Sequence, residues 1–352
     1  MSQKITINKN VVQYNGHCYI IAEIGNNHQG EMSKAKEMFK VAKECGADAV
    51  KLQKRDNKTL YTKALYNKVY DNRNSFGNTY GEHREFLEFG KSEYLELMEY
   101  AKSLDLDMFA TAFDFTSADF LEEIGVPAYK IASGDLTSIP LLQHIAKKGK
   151  PIILSTGGGT MEDIQRAYDA IMPINSELCL LQCTAAYPAE PKDLNLRVIS
   201  ELKSNFPDIL VGLSDHENGI AMAVAAYVLG ARVIEKHFTL NHTWKGTDHA
   251  FSLEPTGFRK LVRDLRRLPI ALGSGVKDVI EIEKDPIRKM RKAIYSGADL
   301  QAGYVLQSSD LVFKCPGDGL LPYEIGNIVG RTLRRNIKED EPMAFDMFTE
   351  KK

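Results

Sequence analysis

The chain of 352 residues lacks several features that mark large classes of protein. Its five cysteines are odd in number and form no CxxC pair, so we expect packed, reduced thiols and no disulfide framework. Its net charge of −2 offers no basic excess for nucleic acid, and we expect no such partner. No apolar run is long enough to span a bilayer, and the polar stretch Met1–Asn10 has no leader-like apolar core. These absences predict a cytoplasmic protein without membrane association.

What the chain does contain is a regular series of short apolar runs. Helical periodicity separates most of them, and nearly every run ends in polar side chains capable of chemistry. This alternation predicts a closed (β/α)8 TIM barrel, in which the carboxyl ends of the strands build one active site. The eight predicted strands are Tyr19–Glu23, Ala49–Gln53, Met108–Thr111, Tyr129–Ser133, Ile152–Thr156, Leu178–Thr184, Leu210–Ser214 and Val233–His237.

The remaining segments are expected to close, decorate or follow this barrel. Met1–Gly16 predicts a short hairpin or plug before the first strand. Nearly forty residues separate Gln53 from the helix near Ser92, and a connection of that length after a strand is typical of a lid or substrate wall. We assign the barrel to residues 1–275, an exposed charged linker to 276–291 and a small β-rich domain to 292–352.

Two histidines end neighbouring predicted strands. His216 follows the run GLSD, and His237 closes VIEKH, in which Glu235 shares its face. Because adjacent strands lie about 4.8 Å apart, both imidazoles can reach one metal ion. Nitrogen ligands with open positions suit Mn²⁺ or Mg²⁺ as well as Zn²⁺. The competing interpretation is a pair of histidines that only hydrogen-bond within the barrel mouth.

A second set of side chains at the strand ends suits an anionic substrate. Lys51 and Lys130 supply two cations, and the glycines 157–159 expose backbone N–H groups before a helix. With nearby hydroxyls, these groups fit a phosphate and a carboxylate. A purely structural ion pair is the alternative for Lys51. The hydroxyl-bearing residues are Ser133, Ser155, Thr156 and Ser214.

Three further residues carry groups suited to catalysis or sugar binding. Glu23 ends the first strand, where a carboxylate can orient water or move a proton. Asp248, in GTDHA, can bind sugar hydroxyls or act as a base, and Tyr187, in TAAYP, adds an aromatic edge and a hydroxyl. Asp and Tyr are common in loops, so these two assignments depend on the rest of the site.

Motifs along essentially the whole chain resemble those of the sialic acid synthase family. They are AEIGNNHQG, AKECGADAVKLQK, TYGEHREFLEF, YKIASGD, LQCTAAYP, NLRVISELKSNFPDI, GLSDHENGIA and EKHFTL followed by WKGTDHAFSLEP. The resemblance implies a TIM barrel followed by a small SAF (antifreeze-like) domain in a domain-swapped homodimer. It implies that phosphoenolpyruvate condenses with an N-acetylated hexose such as N-acetylmannosamine, giving a nonulosonic acid and phosphate. A divalent metal, Mn²⁺ or Mg²⁺, is the implied cofactor.

The same resemblance implies roles for individual residues. Glu23, Lys51 and Asp248 are assigned to catalysis, with Glu23 positioning the attacking water, and His216 and His237 are assigned to the metal. The phosphoenolpyruvate contacts, which also involve Lys51, are completed by Thr111, Lys130, Ser133, Ser155 and Ser214. The sugar contacts, which also involve Asp248, are completed by Gln53, Asn78 and Tyr187.

Three positions depart from the family pattern and leave the sugar open. Ala185 stands where bacterial members often have Asn, Cys315 stands where an Arg often precedes Pro-Gly, and the turn STGGG replaces STGM. The acceptor can therefore be N-acetylmannosamine, a diacetamido-trideoxyhexose that leads to legionaminic acid, or mannose, which leads to Kdn. The other interpretations are a metal-dependent hydrolase, a Schiff-base aldolase acting through Lys130 or Lys51, and a non-catalytic glycan-binding protein.

Overall fold

The computed structural model describes residues 4–349. Its strands are β1 (Lys4–Ile7), β2 (Asn10–Gln13), β3 (Tyr19–Gly25), β4 (Ala49–Lys54), β5 (Asp107–Ala112), β6 (Tyr129–Ile131), β7 (Ile152–Ser155), β8 (Leu178–Cys183), β9 (Leu210–Asp215), β10 (Val233–His237), β11 (Ala293–Ser296) and β12 (Leu311–Lys314). Strands β3 to β10 are parallel and close into one barrel, because β10 pairs with both β9 and β3. The predicted TIM-type barrel is confirmed.

Helical segments connect the barrel strands. The α-helices are α1 (Met32–Glu44), α2 (Asn57–Leu60), α3 (Lys63–Tyr66), α4 (Tyr80–Phe86), α5 (Lys91–Ser103), α6 (Phe115–Ile124), α7 (Ile139–Ala146), α8 (Met161–Ile171), α9 (Val198–Asn205), α10 (Ala221–Leu229), α11 (Pro255–Leu272), α12 (Lys284–Met290) and α13 (Ile325–Ile328). Short 3-10 turns lie at Ser133–Asp135, Pro191–Asp193, His249–Phe251, Glu281–Glu283, Ser308–Asp310, Pro322–Glu324 and Phe345–Met347. Within residues 4–349 no helix has both the length and the apolar character needed to cross a membrane.

A hairpin covers the amino-terminal end of the barrel. β1 and β2 pair antiparallel, as predicted for this segment, although residues 1–3 lie outside the described part. The side-chain amides of Asn8 and Asn10 donate to the Asp107 carboxylate at 2.6 and 2.7 Å, and the Tyr19 hydroxyl donates to it at 2.7 Å. Since Asp107 begins β5, the hairpin lies at the strand starts. The hairpin therefore leaves open the opposite end of the barrel, where the strands finish.

The long connection after β4 is structured. It holds α2, α3 and α4, and an isolated bridge pairs Val69 with Thr79. Thr79 caps α4 in a capping box with Glu82, whose carboxylate accepts from the Thr79 N–H at 3.2 Å. The nearby Phe76 N–H donates to the buried His83 ring at 3.1 Å. These contacts fix the backbone of the insertion at the carboxyl side of β4.

Two compact units make up the chain, one ending at Gly273 and the other beginning at Ser274. The second unit contains the antiparallel pair β11–β12 over its own apolar core, which includes Ile294, Leu306 and Met343. The segment 276–291, expected to be a linker, is largely exposed but includes α12. Its Arg288 carbonyl accepts from the Gly317 N–H at 2.7 Å, so the end of this segment folds with the second unit.

Candidate active site

A cavity of about 460 Å³ opens at the carboxyl ends of the barrel strands. Every predicted site residue except Asn78 and Thr156 lines it, and the Thr156 hydroxyl instead donates to the Leu181 carbonyl at 2.9 Å. The predicted residues that line the cavity are Glu23, Lys51, Gln53, Thr111, Lys130, Ser133, Ser155, Tyr187, Ser214, His216, His237 and Asp248. Strand parity and the barrel geometry therefore bring together side chains that lie far apart in the sequence.

Asn78 is exposed in the insertion and does not line the cavity, so its assignment to the sugar stays a prediction. The capping box explains its place: the Glu82 carboxylate accepts from the Asn78 N–H at 2.8 Å, and the Asn78 carbonyl accepts from the Tyr70 N–H at 3.0 Å. These two hydrogen bonds hold the Asn78 backbone in the turn that precedes α4.

Lys51 is the centre of a buried polar network on β3, β4 and β5. Its ammonium group lies 2.7 Å from the Glu23 carboxylate and donates to the Thr111 hydroxyl at 2.7 Å. Gln53 donates to the other Glu23 oxygen at 2.7 Å. The register explains this, since Glu23 pairs with Lys51 and Gln53 with Thr111. The ion pair that we gave as the structural alternative for Lys51 is thus present, but it forms the wall of the cavity.

A second lysine lies opposite, on β6. The Lys130 ammonium group donates to the Ser155 hydroxyl at 2.6 Å and to the Ile131 carbonyl at 2.8 Å. Glu235 lies between the two lysines, with its oxygens 3.8 Å from Lys51 Nζ and 4.0 Å from Lys130 Nζ. The Ser214 hydroxyl donates to Glu235 at 3.0 Å. Two ammonium groups and two carboxylates therefore share one buried space.

Burial and mutual proximity change the acidity of these groups. Burial raises the pKa of Glu23 above its ordinary value in spite of Lys51. Burial also lowers the pKa of Lys130. Burial alone would raise the pKa of Glu235, but Lys130 and Lys51 outweigh it and hold that pKa below its usual range. Glu23 is thus the carboxylate of this network with the greater affinity for a proton.

The glycine turn after β7 is only partly free to bind an anion. The Gly157 N–H already donates to the Ser133 hydroxyl at 2.9 Å, while the Gly159 N–H donates to the Thr156 carbonyl at 3.2 Å. A Cβ at Gly157 would lie 2.9 Å from that hydroxyl and 3.2 Å from Ala185 Cβ. Because position 157 is a glycine, Ser133 and Ala185 can pack closely against the turn at the cavity wall. A larger residue at position 157 would not fit between them.

His216 and His237 present their rings to one another across β9 and β10. Their ring centroids are 5.3 Å apart. His216 Nδ1–H donates to the Thr184 carbonyl at 2.8 Å, which fixes that ring and leaves Nε2 with a free lone pair. His237 Nδ1 is buried without a hydrogen-bond partner among the described residues. Burial lowers the pKa of His237 to about 4, so its imidazole is neutral, as a metal ligand must be.

This donor set fits a divalent cation with open coordination positions. Across residues 4–349, no group of three or more His, Cys, Asp or Glu side chains is arranged to hold an ion. Two imidazoles alone leave several positions for water and substrate oxygens, which is the arrangement that Lewis-acid chemistry requires. The unpartnered His237 nitrogen, 3.8 Å from the Asp248 carboxylate, is the observation that favours such a site.

An aromatic wall surrounds the two histidines. The Tyr187 ring lies 4.2 Å from the His216 ring, and the Phe251 ring lies 4.8 Å from the His237 ring. Tyr187 is itself 57% exposed, so its outer face is open to a ligand. Asp248 lies at the same rim. A polyhydroxylated molecule would find both an apolar face and a carboxylate acceptor at this end of the cavity.

Several lining residues were not predicted from the sequence. Glu235 was noticed only as a neighbour of His237 on its strand, and its role between the lysines needed the structure. Arg55 follows Gln53 by two positions at the end of β4, so strand parity was a usable signal. Arg84, on α4, had no local signal. The other unpredicted lining residues include Phe113, Cys183 and Thr247.

The cysteines bear out most of the expectation for them. All five are free, and four are buried, while Cys315 is exposed and therefore corrects the expectation that every thiol is packed. Cys183 lies at the end of β8 in the cavity wall, with its sulfur 4.0 Å from His216 Nδ1. No disulfide involves it.

Comparison with known proteins identifies the family. A model described as the NeuB family matches residues 38–277, and one described as the SAF domain matches residues 291–349. The chain is 42% identical over 331 residues to the N-acetylneuraminate-9-phosphate synthase of Homo sapiens, covering 94% of this chain and 92% of that protein. It is 40% identical over 336 residues to the N,N'-diacetyllegionaminic acid synthase of Legionella pneumophila, covering 94% of both.

A solved structure agrees with this. The N-acetylneuraminic acid (sialic acid) synthetase of Leptospira borgpetersenii, determined with citrate, is 34% identical with a TM-score of 0.71, and the match covers 82% of this chain and 96% of that one. The closed barrel, the small domain after it and the similarity over nearly the whole length agree in one assignment. The chain belongs to the NeuB family of sialic acid synthases and is an enzyme with a carboxyl-terminal SAF domain.

Proposed function

We propose that the enzyme condenses phosphoenolpyruvate with a hexose of the N-acetylmannosamine type, giving a nonulosonic acid and phosphate. The observation that carries the proposal is the pair of buried ammonium groups, Lys51 and Lys130, in the same cavity as the imidazoles of His216 and His237. The first pair suits a small polyanion and the second suits an aldehyde that must be polarised. The relatives named above as N-acetylneuraminate-9-phosphate synthase and N,N'-diacetyllegionaminic acid synthase agree with this chemistry.

Phosphoenolpyruvate is proposed to bind between β4, β6 and β7. Its carboxylate and phosphate would take the ammonium groups of Lys51 and Lys130, and the hydroxyls around them would complete the shell. The lysines already lie within hydrogen-bond range of Thr111 and Ser155, so the donors are held in place before the ligand arrives. The remaining proposed donors are Ser133 and Ser214.

Mn²⁺ or Mg²⁺ is the proposed cofactor, with His216 and His237 as its protein ligands. A divalent cation bound there would supply Lewis acidity to the aldehyde oxygen of the acceptor. The Thr184 carbonyl orients the His216 ring, and the Asp248 carboxylate lies 3.8 Å from His237 Nδ1. Gln53, Tyr187 and Asp248 are proposed to hold the sugar hydroxyls.

In the proposed reaction the C2=C3 electron pair of the enolpyruvate forms the bond from C3 to the aldehyde carbon of the sugar. The aldehyde oxygen takes up a proton and becomes a hydroxyl, and C2 is left electron-deficient. Water then adds at C2, and the bond between C2 and the phosphate oxygen breaks, so that the phosphate leaves with its electron pair. Glu23 is the proposed group that orients this water and takes its proton, because burial gives it the higher proton affinity of the two carboxylates in the network. Lys51, 2.7 Å away, would stabilise the carboxylate form.

The test is phosphate release from purified, metal-stripped protein given phosphoenolpyruvate, Mn²⁺ and a panel of acceptors. The panel contains N-acetylmannosamine, 2,4-diacetamido-2,4,6-trideoxymannose and mannose, each with and without a 6-phosphate where the sugar has a 6-hydroxyl, with mass detection of product. Metal-dependent release with one sugar supports the proposal and separates sialic, legionaminic and Kdn synthesis. No release with any acceptor from folded protein would overturn it.

A Schiff-base aldolase is the second candidate, since burial lowers the pKa of Lys130 and so favours a neutral, nucleophilic amine. Borohydride trapping of pyruvate on Lys130, together with activity in the presence of a chelator, would support it. The proposed synthase should show neither.

The domain-swapped homodimer and the cytoplasmic location stay predictions, and the oligomeric state can be measured by light scattering of the full chain.

A further inference from the structure

Arg55 and Arg84 bring two guanidinium groups to the cavity, and the synthase chemistry proposed above uses neither. Arg55 is 7% exposed. Its Nη2 donates to the Gln53 side-chain oxygen at 2.7 Å, but its Nη1 is buried with no hydrogen-bond partner among the described residues. Glu88, 3.8 Å from that Nη1, is also paired with Lys54 at 3.1 Å. Arg55 therefore keeps an unpaired donor in a buried position.

Arg84 is the less buried of the two and forms no ion pair with the described residues. Its Nε donates to the Tyr80 hydroxyl at 3.2 Å, and no carboxylate in the described part of the chain comes within 4 Å of its guanidinium. The Arg55 guanidinium lies 3.8 Å from the Phe113 centroid, close enough to stack, and the Arg84 guanidinium lies 5.2 Å from the Tyr80 centroid, within cation–π range. Such contacts leave the edge donors of a guanidinium free.

The two guanidiniums lie close to one another and to the acceptor end of the cavity. After burial, the charge on Arg84 is the main cause that lowers the pKa of Arg55, so the two cations repel. Despite burial, Tyr80 and Tyr61, and after them Asp248, hold the pKa of Arg84 above its ordinary value. Asp248 connects the pair to the histidines, because its carboxylate is 3.8 Å from His237 Nδ1. Burial and Arg84 disfavour the charged form of Arg55, and an anion bound at this rim would offset that cost.

We infer that Arg55 and Arg84 form a subsite for a phosphate monoester carried by the acceptor sugar at the end away from its aldehyde. The free edges of two guanidiniums match the several oxygens of a phosphate group, which takes paired N–H donors better than a single point charge. The anionic groups of phosphoenolpyruvate are accounted for by Lys51 and Lys130, so the arginine pair is left for the second substrate. The inference rests on the proposed function and names its substrate class.

A purely structural role would leave a different pattern. Buried arginines that serve only the fold are paired with carboxylates that satisfy their donors. Here no carboxylate lies within hydrogen-bond range of the Arg55 Nη1, and Arg84 donates to an aromatic hydroxyl. Both groups line the same cavity as the predicted sugar contacts Gln53 and Asp248. Arg55 and Arg84 therefore border the space that a ligand would occupy.

The test compares N-acetylmannosamine 6-phosphate with N-acetylmannosamine as acceptors for the full-length, Mn²⁺-loaded enzyme. We expect kcat/KM to be about 10- to 100-fold higher for the phosphorylated sugar, as charge-assisted hydrogen bonds to one group imply. Arg84→Gln should raise KM for the phosphorylated acceptor and lower this ratio by about the same factor. Arg73→Gln, in the same insertion but outside the cavity wall, is the matched control and should keep the ratio.

The outcomes separate this inference from the proposed function. Equal kcat/KM for both acceptors would overturn the subsite and leave the synthase proposal standing. A rise in KM for phosphoenolpyruvate alone in Arg84→Gln would also overturn it, because the arginines would then serve the first substrate. No phosphate release with either acceptor would instead overturn the synthase proposal itself.

Discussion

Lys51 Nζ and the Glu23 carboxylate lie 2.7 Å apart, and both side chains are almost completely buried. Neighbouring strands β3 and β4 hold them in register, so the pair is built into the barrel wall. Burying two charges gains little net stability, because the cost of removing them from water offsets their attraction. A polar pair in a position normally filled by branched apolar side chains therefore favours the proposed use of Glu23 and Lys51 in binding and catalysis.

Lys51→Met should destabilise the barrel because it leaves Glu23 as an uncompensated buried carboxylate. We expect a loss of about 3 kcal/mol in the free energy of unfolding by urea. Adding Glu23→Gln to Lys51→Met should restore most of it, since the double variant has neither charge. Glu37→Gln, an exposed change on α1, is the control. A double variant no more stable than Lys51→Met would contradict this account of the pair.

Glu23→Gln alone should fold and should lose turnover. The proposed proton acceptor disappears while the shape of the network and the bond to Gln53 can persist, so kcat should fall by about 10²- to 10⁴-fold. Steady-state phosphate release measures this, with circular dichroism to verify folding. Retention of most of the activity would exclude Glu23 from the proton transfer.

His237→Ala should weaken Mn²⁺ binding as well as activity. One of two protein ligands is removed, so we expect at least a tenfold loss in affinity, measured by calorimetry on the metal-free protein. His144→Ala is the matched control, since His144 lies on α7 and its ring bonds to Asp119 outside the cavity. Unchanged Mn²⁺ affinity in His237→Ala would favour the alternative of two histidines that bond only to protein groups.

The barrel and the strand-borne part of the site were predictable because both follow from local periodicity. The apolar runs predict the eight strands. The alternation of side chains then places Lys51 and Gln53 on the same face of β4, and Glu235 and His237 on the same face of β10. All four line the cavity. Because the carboxyl ends of all eight parallel strands lie at the same end of the barrel, polar residues there come together in any strand register.

The insertion after β4 was not predictable in the same way. Asn78 and Arg84 are six residues apart, yet the first is exposed and the second lines the cavity. The difference comes from the capping box at Thr79 and from the packing of His83 against its aromatic neighbours, which are specific contacts without a periodic pattern. Motif resemblance alone assigned Asn78 to the sugar, and the fold of the loop places this residue outside the cavity.

Gly212→Ala should destabilise the barrel through overpacking. A Cβ at this position on β9 would collide with the Val233 carbonyl oxygen and lie 2.5 Å from Leu181 Cδ2. Close-packed interiors do not yield to such an addition, so we expect a loss of about 1–3 kcal/mol. Gly134→Ala, where nothing lies within 4 Å of the added carbon, is the matched control. Equal urea midpoints for the two variants would contradict this explanation.

Stability should fall with acid in a way that depends on His28. This residue is buried, its ring stacks 4.2 Å from that of Phe89, and its Nδ1 accepts from the Gly30 N–H at 3.0 Å. Burial lowers the pKa of His28 from 6.5 to about 3, so folding favours the neutral ring. The contribution of His28 to the free energy of unfolding is complete above the unfolded pKa and is lost as the pH falls from about 6.5 toward 3. It amounts to about 2 kcal/mol between pH 7.5 and 5.

His28→Asn keeps an acceptor for Gly30 and should flatten the pH dependence of the urea midpoint by that amount, whereas His17→Asn, at an exposed position, should not. An unchanged slope in His28→Asn would show that other groups govern the acid sensitivity.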